Sequence, residues 1–291
     1  MPVARINGVN LSYQVHGRGP AVLLIPGTGA RGGIFRAHQV PALVAAGFRA
    51  ITVDNRGVPP SDVCAEGFTL DDLVRDAAGL ITALDIGPCR VVGFSLGAMV
   101  TQELLVARPD LVRQAVLMAT RARTDALSAA RSRAELEMFD TGVKLPGRYE
   151  AAMRVYQSFS QRTRTDEQLV RNWLDLFEMS IEHSVPSRSQ LEMDLIPDRR
   201  AAYRNIGTET LVLAFGEDLL TPPGLCREVA EAIPGAEYRE ISGCGHFGHV
   251  EAPESVNHAI IEFFRRGDYL LDTGPAFEDD GREHEPETDG R

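Results

Sequence analysis

Three residues, far apart in the chain, have the types needed for nucleophilic acyl chemistry: Ser95, Asp218 and His246. A serine hydroxyl is a poor nucleophile at neutral pH. It attacks a carbonyl only when a histidine takes its proton and a carboxylate orients that histidine. Ser95 lies in Gly93-Phe94-Ser95-Leu96-Gly97, the G-x-S-x-G pattern of a sharp strand-to-helix turn. An apolar run, Val91-Val92, stops at Gly93, and a helix-forming stretch rich in Ala, Met, Gln, Glu and Leu starts right after Ser95. A strand turning straight into a helix leaves no room for β-carbons beside the turn residue, which glycines on both sides provide. The pentapeptide alone equally fits a glycine-rich turn whose serine merely caps a helix. The rest of the chain has to decide.

Such a set can meet only where strands end, because parallel strands deliver their C-terminal loops to one edge of a sheet. The sequence supplies those strands. Asn7-Gly8 predicts a hairpin turn into a strand at about 11–16, a solid apolar run follows at 21–25, and further strands at 48–53, 89–93, 115–119 and 211–215, with a last strand at 236–241. Helical stretches alternate with them: one ending near 46, one over 70–84 opened by Thr69 as a cap, then 222–233 and 253–266. The alternation predicts the α/β class, with a mostly parallel sheet of about eight strands flanked by helices. Between 121 and 206 it lapses into amphipathic helical pieces near 125–139, 149–160, 166–182 and 187–199, broken at Pro146-Gly147 and Pro186. The predicted organisation is therefore a core from 1–120 and 207–267, a helical cap inserted at 121–206, and an acidic tail at 268–291 expected to be disordered. Asp218 falls just after the strand at 211–215, and two histidines, His246 and His249, follow the strand at 236–241. Asp218 could instead cap the helix that starts near Pro222.

Composition bounds the partners. A net charge of −11 argues against nucleic acid or an anionic membrane surface, both of which select for basic protein. Hydrophobic residues make up 44% of the 291-residue chain, enough for a full core, yet no apolar run approaches the roughly 20 residues that span a bilayer. Four separated cysteines (Cys64, Cys89, Cys226 and Cys244) form no C-x-x-C, which argues against metal or redox chemistry and for reduced thiols in a cytoplasmic protein. The N-terminus lacks the long apolar region of a secretion signal. No cofactor and no metal is expected; the expected partner is a small-molecule substrate.

These stretches, in this order, resemble the α/β-hydrolase superfamily, whose triad runs serine, acid, histidine along the chain. Gly216-Glu217-Asp218-Leu219-Leu220-Thr221-Pro222 resembles the family's acid loop, and Gly245-His246-Phe247-Gly248-His249-Val250-Glu251-Ala252-Pro253-Glu254 its histidine segment. Asp54-Asn55-Arg56-Gly57 and Ser61-Asp62 resemble the loop after its fourth strand. The resemblance spans about 6–266, with the cap matching only in being helical. It implies Ser95 as nucleophile, Asp218 as acid and His246, in preference to His249, as base. Attack on a carbonyl builds charge on its oxygen, which backbone N–H donors stabilise by roughly 10²–10³ each in rate. One donor is expected from Leu96, at the start of the helix after Ser95. Matching the family's His-Gly-x loop onto Pro26-Gly27-Thr28 makes Thr28 the other, with Pro26 in place of the usual histidine.

The cap carries Phe139, Tyr156, Trp173 and Phe177, part of an aromatic stripe expected to roof a largely apolar pocket above Ser95. The resemblance then implies a serine hydrolase cleaving an ester, thioester or lactone through an acyl-enzyme, as in the esterases, thioesterases and enol-lactonases of secondary metabolism. Two alternatives stand beside it. One is a biosynthetic cyclase, lyase or carbon–carbon hydrolase using the same site. The other is a non-catalytic binding protein that kept the pocket and lost turnover.

Overall fold

A computed structural model describes residues 1–180 and 187–272. Asn7 and Gly8 both take positive φ, 46° and 79°, the geometry of a tight hairpin turn, and join β1 (Val3–Ile6) to β2 (Val9–His16). The apolar run of β3 (Ala21–Ile25) is buried at every position, as a strand covered on both faces must be. Then come α1 (Gln39–Ala45), β4 (Arg49–Val53), α2 (Leu70–Ala83), β5 (Cys89–Phe94), α3 (Leu96–Ala107) and β6 (Val112–Met118). Thr69 caps α2 as expected, in a reciprocal box with Asp72.

The sheet has eight strands in the order β1-β2-β4-β3-β5-β6-β7-β8, with β7 (Glu209–Phe215) and β8 (Glu237–Ile241) arriving after the helical segment. β1 pairs with β2 and β2 with β4 antiparallel, and every later pairing is parallel. Alternate residues of each strand serve opposite faces. Leu23, Ile25 and Val91 pack with Leu80 and Leu104 of α2 and α3, while Val22, Leu24 and Val92 pack with Val256 and Phe264 on the other side. Strand β6 starts three residues before the apolar run that predicts it. Its polar Gln114 is buried but bonded to Arg90 and Glu209, so hydrophobicity alone misses it.

Between β6 and β7 the chain forms α4 (Ala126–Thr141), α5 (Gly147–Ser158), α6 (Gln161–Thr165), α7 (Glu167–Ser180), α8 (Arg188–Glu192) and α9 (Arg200–Tyr203). The predicted helix over 187–199 is cut short. Pro197 disfavours helix at Ile196, whose N–H goes instead to Thr124 Oγ1 at 2.8 Å, while Asp194 is held by Arg121 at 2.8 Å. These bonds, with Arg199 N–H to the Ala122 carbonyl at 2.8 Å, fasten the exit of the segment to its entrance.

After β7 follow α10 (Pro223–Ala232), β8, the single turn α11 (Gly248–Glu251) and α12 (Pro253–Asp272). The last helix, Pro253–Asp272, passes the expected tail boundary at 268; the remainder of the acidic tail, 273–291, lies outside the described residues, as do the last two positions of the helix predicted over 166–182 and the break at Pro186.

Candidate active site

The site is built at the C-terminal edge of the parallel strands. Ser95 joins β5 to α3 with φ 54° and ψ −117°, a conformation costly for a residue with a Cβ, and it is held there by its N–H to the Met118 carbonyl at 3.0 Å. A Cβ at Gly97 would stand 2.1 Å from the Ile25 carbonyl oxygen, so α3 can approach β3 only with glycine at that position. The turn leaves Ser95 partly exposed while its neighbours Phe94 and Leu96 are buried.

Loops after β7 and β8 bring the other two residues to it. His246 Nε2 lies 3.1 Å from Ser95 Oγ, and His246 Nδ1 lies 2.8 Å from Asp218 Oδ2. With the carboxylate accepting at Nδ1–H, the ring keeps its Nε2 lone pair for the serine hydroxyl; this tautomer is assigned from the hydrogen-bond network. Asp218 also does what a loop aspartate does by default. Its Oδ1 accepts the N–H groups of Leu220 and Thr221 at 2.8 and 2.9 Å, while Thr221 Oγ1 donates to Oδ2 at 2.7 Å. Burial by itself would raise the Asp218 carboxyl; the facing His246 and these hydrogen bonds outweigh it and hold the group below the usual carboxylate range.

The loop carrying Thr28 runs beside the serine, since a Cβ on Gly27 would lie 3.1 Å from Ser95 Cβ. Leu96 is the first residue of α3, where N–H groups lack intrahelical acceptors. Two side chains hold the Thr28 loop. Asn55 Nδ2 donates to the Pro26 carbonyl at 3.3 Å, and Gln190 Oε1 accepts the Gly29 N–H at 3.0 Å. Sequence reasoning misses Gln190. The only local signal, Ser187-x-x-Gln190, suggests a side chain folded back onto its own helix, but the amide reaches across to the core and is fully buried. Asp54 braces the same region by accepting the Gly32 N–H at 2.8 Å, and Arg56 is taken up by Asp76 at 2.5 Å.

His249 is fully buried against the Phe94 ring, 4.3 Å between centroids, with Phe35 and Phe247 also around it. Neither of its ring nitrogens has a partner among the described residues. Burial pushes its imidazole down to about 3, with the charges of His246 and His38 as lesser causes. Of the four cap aromatics expected over the pocket, Trp173 and Phe177 cluster with Phe159 and Phe247, the last of which adjoins His246. Phe139 and Tyr156 do not join them. They stand 44% and 57% exposed, Tyr156 under the Arg164 guanidinium, because α4 and α5 turn Ser128, Ser132, Ala151 and Val155 inward instead. Cys244 donates to the Ile241 carbonyl, and burial lifts its thiol to about 12, leaving no ready thiolate. Among the described residues no group of His, Cys, Asp and Glu is arranged to hold a metal ion, and no helix is long and apolar enough to cross a membrane.

Residues 22–259 match the sequence profile described as the Alpha/beta hydrolase family. A Mycobacterium tuberculosis protein named as a non-heme bromoperoxidase, BpoC, is 46% identical over 257 residues, covering 88% of this chain and 98% of the relative. Its crystal structure superposes with a TM-score of 0.84 at 45% identity, covering 89% of this chain and 96% of the other. A thermophilic esterase from Thermogutta terrifontis, solved with malate bound, gives a TM-score of 0.78 at 26% identity over 92% of this chain and 99% of its own. The pyrrolizixenacetamide deacetylase of Xenorhabdus hominickii is 27% identical over 264 residues, 87% of this chain and 94% of the relative.

Proposed function

Because the chain belongs to the alpha/beta hydrolase family, we propose that it is a serine hydrolase that cleaves an ester, thioester or lactone of a largely apolar small molecule through an acyl-enzyme. The observation that carries this reading is the unbroken hydrogen-bond chain Asp218–His246–Ser95, 2.8 and 3.1 Å per link, ending on a partly exposed hydroxyl. His246 takes the Ser95 proton as Oγ attacks the carbonyl carbon, and Asp218 stabilises the imidazolium that forms. The Leu96 and Thr28 N–H groups receive the oxyanion. His246 returns the proton to the leaving group. Water, deprotonated by His246, then attacks the acyl-serine and frees the acid. The half-buried Phe247 ring beside His246, backed by the packed Phe159 and Phe177, suits an apolar group on the substrate. The esterase and deacetylase names of two relatives support acyl cleavage in general.

A fluorophosphonate probe tests the reading: wild type is labelled and Ser95→Ala is not. Labelling that persists in Ser95→Ala refutes the nucleophile, and absence of labelling in wild type favours a binding protein.

A second reading draws on the name of the Mycobacterium relative. Hydrogen peroxide in place of water would attack the acyl-serine at its carbonyl, releasing a peracid and the free serine, and the peracid would oxidise bromide. Bromination of monochlorodimedone that requires peroxide, a carboxylic acid and Ser95 is the expected result; bromination retained in Ser95→Ala removes this reading.

A further inference from the structure

We propose that Glu251 is a positioning residue for His246, acting through a clasp between the cap strip 158–163 and the histidine loop; this rests on the reading of His246 as the base. Glu251 ends the one-turn helix α11, five residues past His246, and its carboxylate accepts from both sides of the junction. On the cap side, Oε1 takes the Ser160 N–H at 3.0 Å, Ser160 Oγ at 2.7 Å and Thr163 Oγ1 at 2.5 Å. On the core side, Oε2 takes the Gly245 N–H at 2.6 Å, and it lies 3.2 Å from the Ser160 N–H as well.

Gly245 immediately precedes the base, and the residue that follows it is tied to the same strip: Phe247 N–H donates to the Ser158 carbonyl at 3.0 Å. The two backbones touch so closely that a Cβ on Gly245 would stand 2.7 Å from the Ser158 carbonyl oxygen and from the Phe159 carbonyl carbon. The acid loop is reached too, because Gln161 N–H donates to Glu217 Oε2 at 2.6 Å, one residue before Asp218. Both neighbours of His246 and one neighbour of Asp218 are therefore anchored to four consecutive cap residues. The imidazole is a short lever on an anchored backbone, and a displacement of about 1 Å at a reacting group costs on the order of 10² in rate.

The chemistry of the clasp separates positioning from bulk. A carboxylate is all acceptor, which is what five donor contacts require. A glutamine of the same shape offers one acceptor and one donor, so it can serve the Ser160–Thr163 side or the Gly245 N–H, not both. The test compares wild type, Glu251→Gln and the milder Thr163→Val, which removes one cap donor and keeps the fold if Glu251→Gln does not. Three readings are taken at one temperature: kcat and KM on p-nitrophenyl acetate per titrated active site, the rate of fluorophosphonate labelling, and the side-chain 1H–15N resonances of His246.

For Glu251→Gln the expected result is a kcat lower by about 10–100-fold with KM within about twofold, labelling slowed in proportion, and displaced His246 resonances. Thr163→Val is expected to move the same three in the same direction by about 2–5-fold in kcat. The inference is overturned if folded Glu251→Gln keeps wild-type kcat per active site and unmoved His246 resonances, with only its melting temperature lowered. If wild type itself is not labelled, the hydrolase reading fails, and the His246 resonances still decide the clasp: displaced they support it, unmoved they overturn it.

Discussion

Two histidines three residues apart pack against the Phe94 ring in opposite surroundings. His246, 5.0 Å from that ring, is wired at both nitrogens into a polar line from Asp218 to Ser95. His249, 4.3 Å from it, is enclosed by Phe35, Phe94 and Phe247, and neither ring nitrogen has a partner among the described residues. A histidine's work is set by what its second nitrogen meets, not by its burial, since the two are 4% and 0% exposed. A buried imidazole with a carboxylate behind it is oriented and ready to accept a proton; one among aromatic rings is an apolar filler that resists charging.

Removing each residue in turn separates the two roles. On p-nitrophenyl esters, Ser95→Ala and His246→Ala are each expected to cut turnover by at least about 10³, while His249→Leu stays within a few-fold of wild type. A larger loss at 249 than at 246 reverses the assignment of the base. Next, Thr221→Val removes the 2.7 Å hydroxyl bond to Asp218 Oδ2, one of the contacts that favour the carboxylate. The Asp218 carboxyl then rises and its hold on the His246 ring loosens, so kcat/KM on the same esters is expected to fall by up to roughly tenfold.

His249 offers a stability test with its own sign. Its folded value near 3 lies below the ordinary 6.5, so between these limits the unfolded chain binds the extra proton. Stability conferred by the neutral ring is complete above about pH 6.5 and is lost as pH falls toward 3, at up to about 1.4 kcal/mol per pH unit. Urea unfolding across this window is expected to show a shallower acid decline for His249→Leu, which loses no hydrogen bond of the ring. Parallel declines for both proteins would mean that His249 charges freely. The smallest expected effect is Gln190→Ala, which frees the Gly29 N–H and slackens the Thr28 loop, lowering kcat about 3–10-fold with KM little changed.

Much of the core site was legible because its chemistry sits at strand ends. Ser95 and Asp218 each follow a buried, largely apolar strand, His246 follows the polar edge strand β8, and a parallel sheet has one edge at which the three can meet. The segment between β6 and β7 was far less legible. Its inward positions are filled by small and polar residues as well as apolar ones: α4 buries Ser128 and Ser132 and exposes Leu127 and Phe139. Aromatic type therefore gave the wrong guide for Phe139 and Tyr156. The cross-molecule contacts of Gln190 and Glu251 were illegible for a different reason: Gly29 and Ser160 lie 161 and 91 residues from them, and no local pattern encodes a contact at that distance.

The stem that fastens Thr124 to Ile196 and Ala122 to Arg199 joins two neighbouring strands, so everything from α4 to α8 leaves and re-enters the sheet at one spot. Inheritance can exploit this. A recombination event that swaps the intervening piece leaves every strand pairing intact but removes Gln190, Ser160 and Thr163, which brace the loops of the reactive edge. The same layout gives a protein engineer a ready graft site, provided the donor piece brings its own docking partners for the loops beneath.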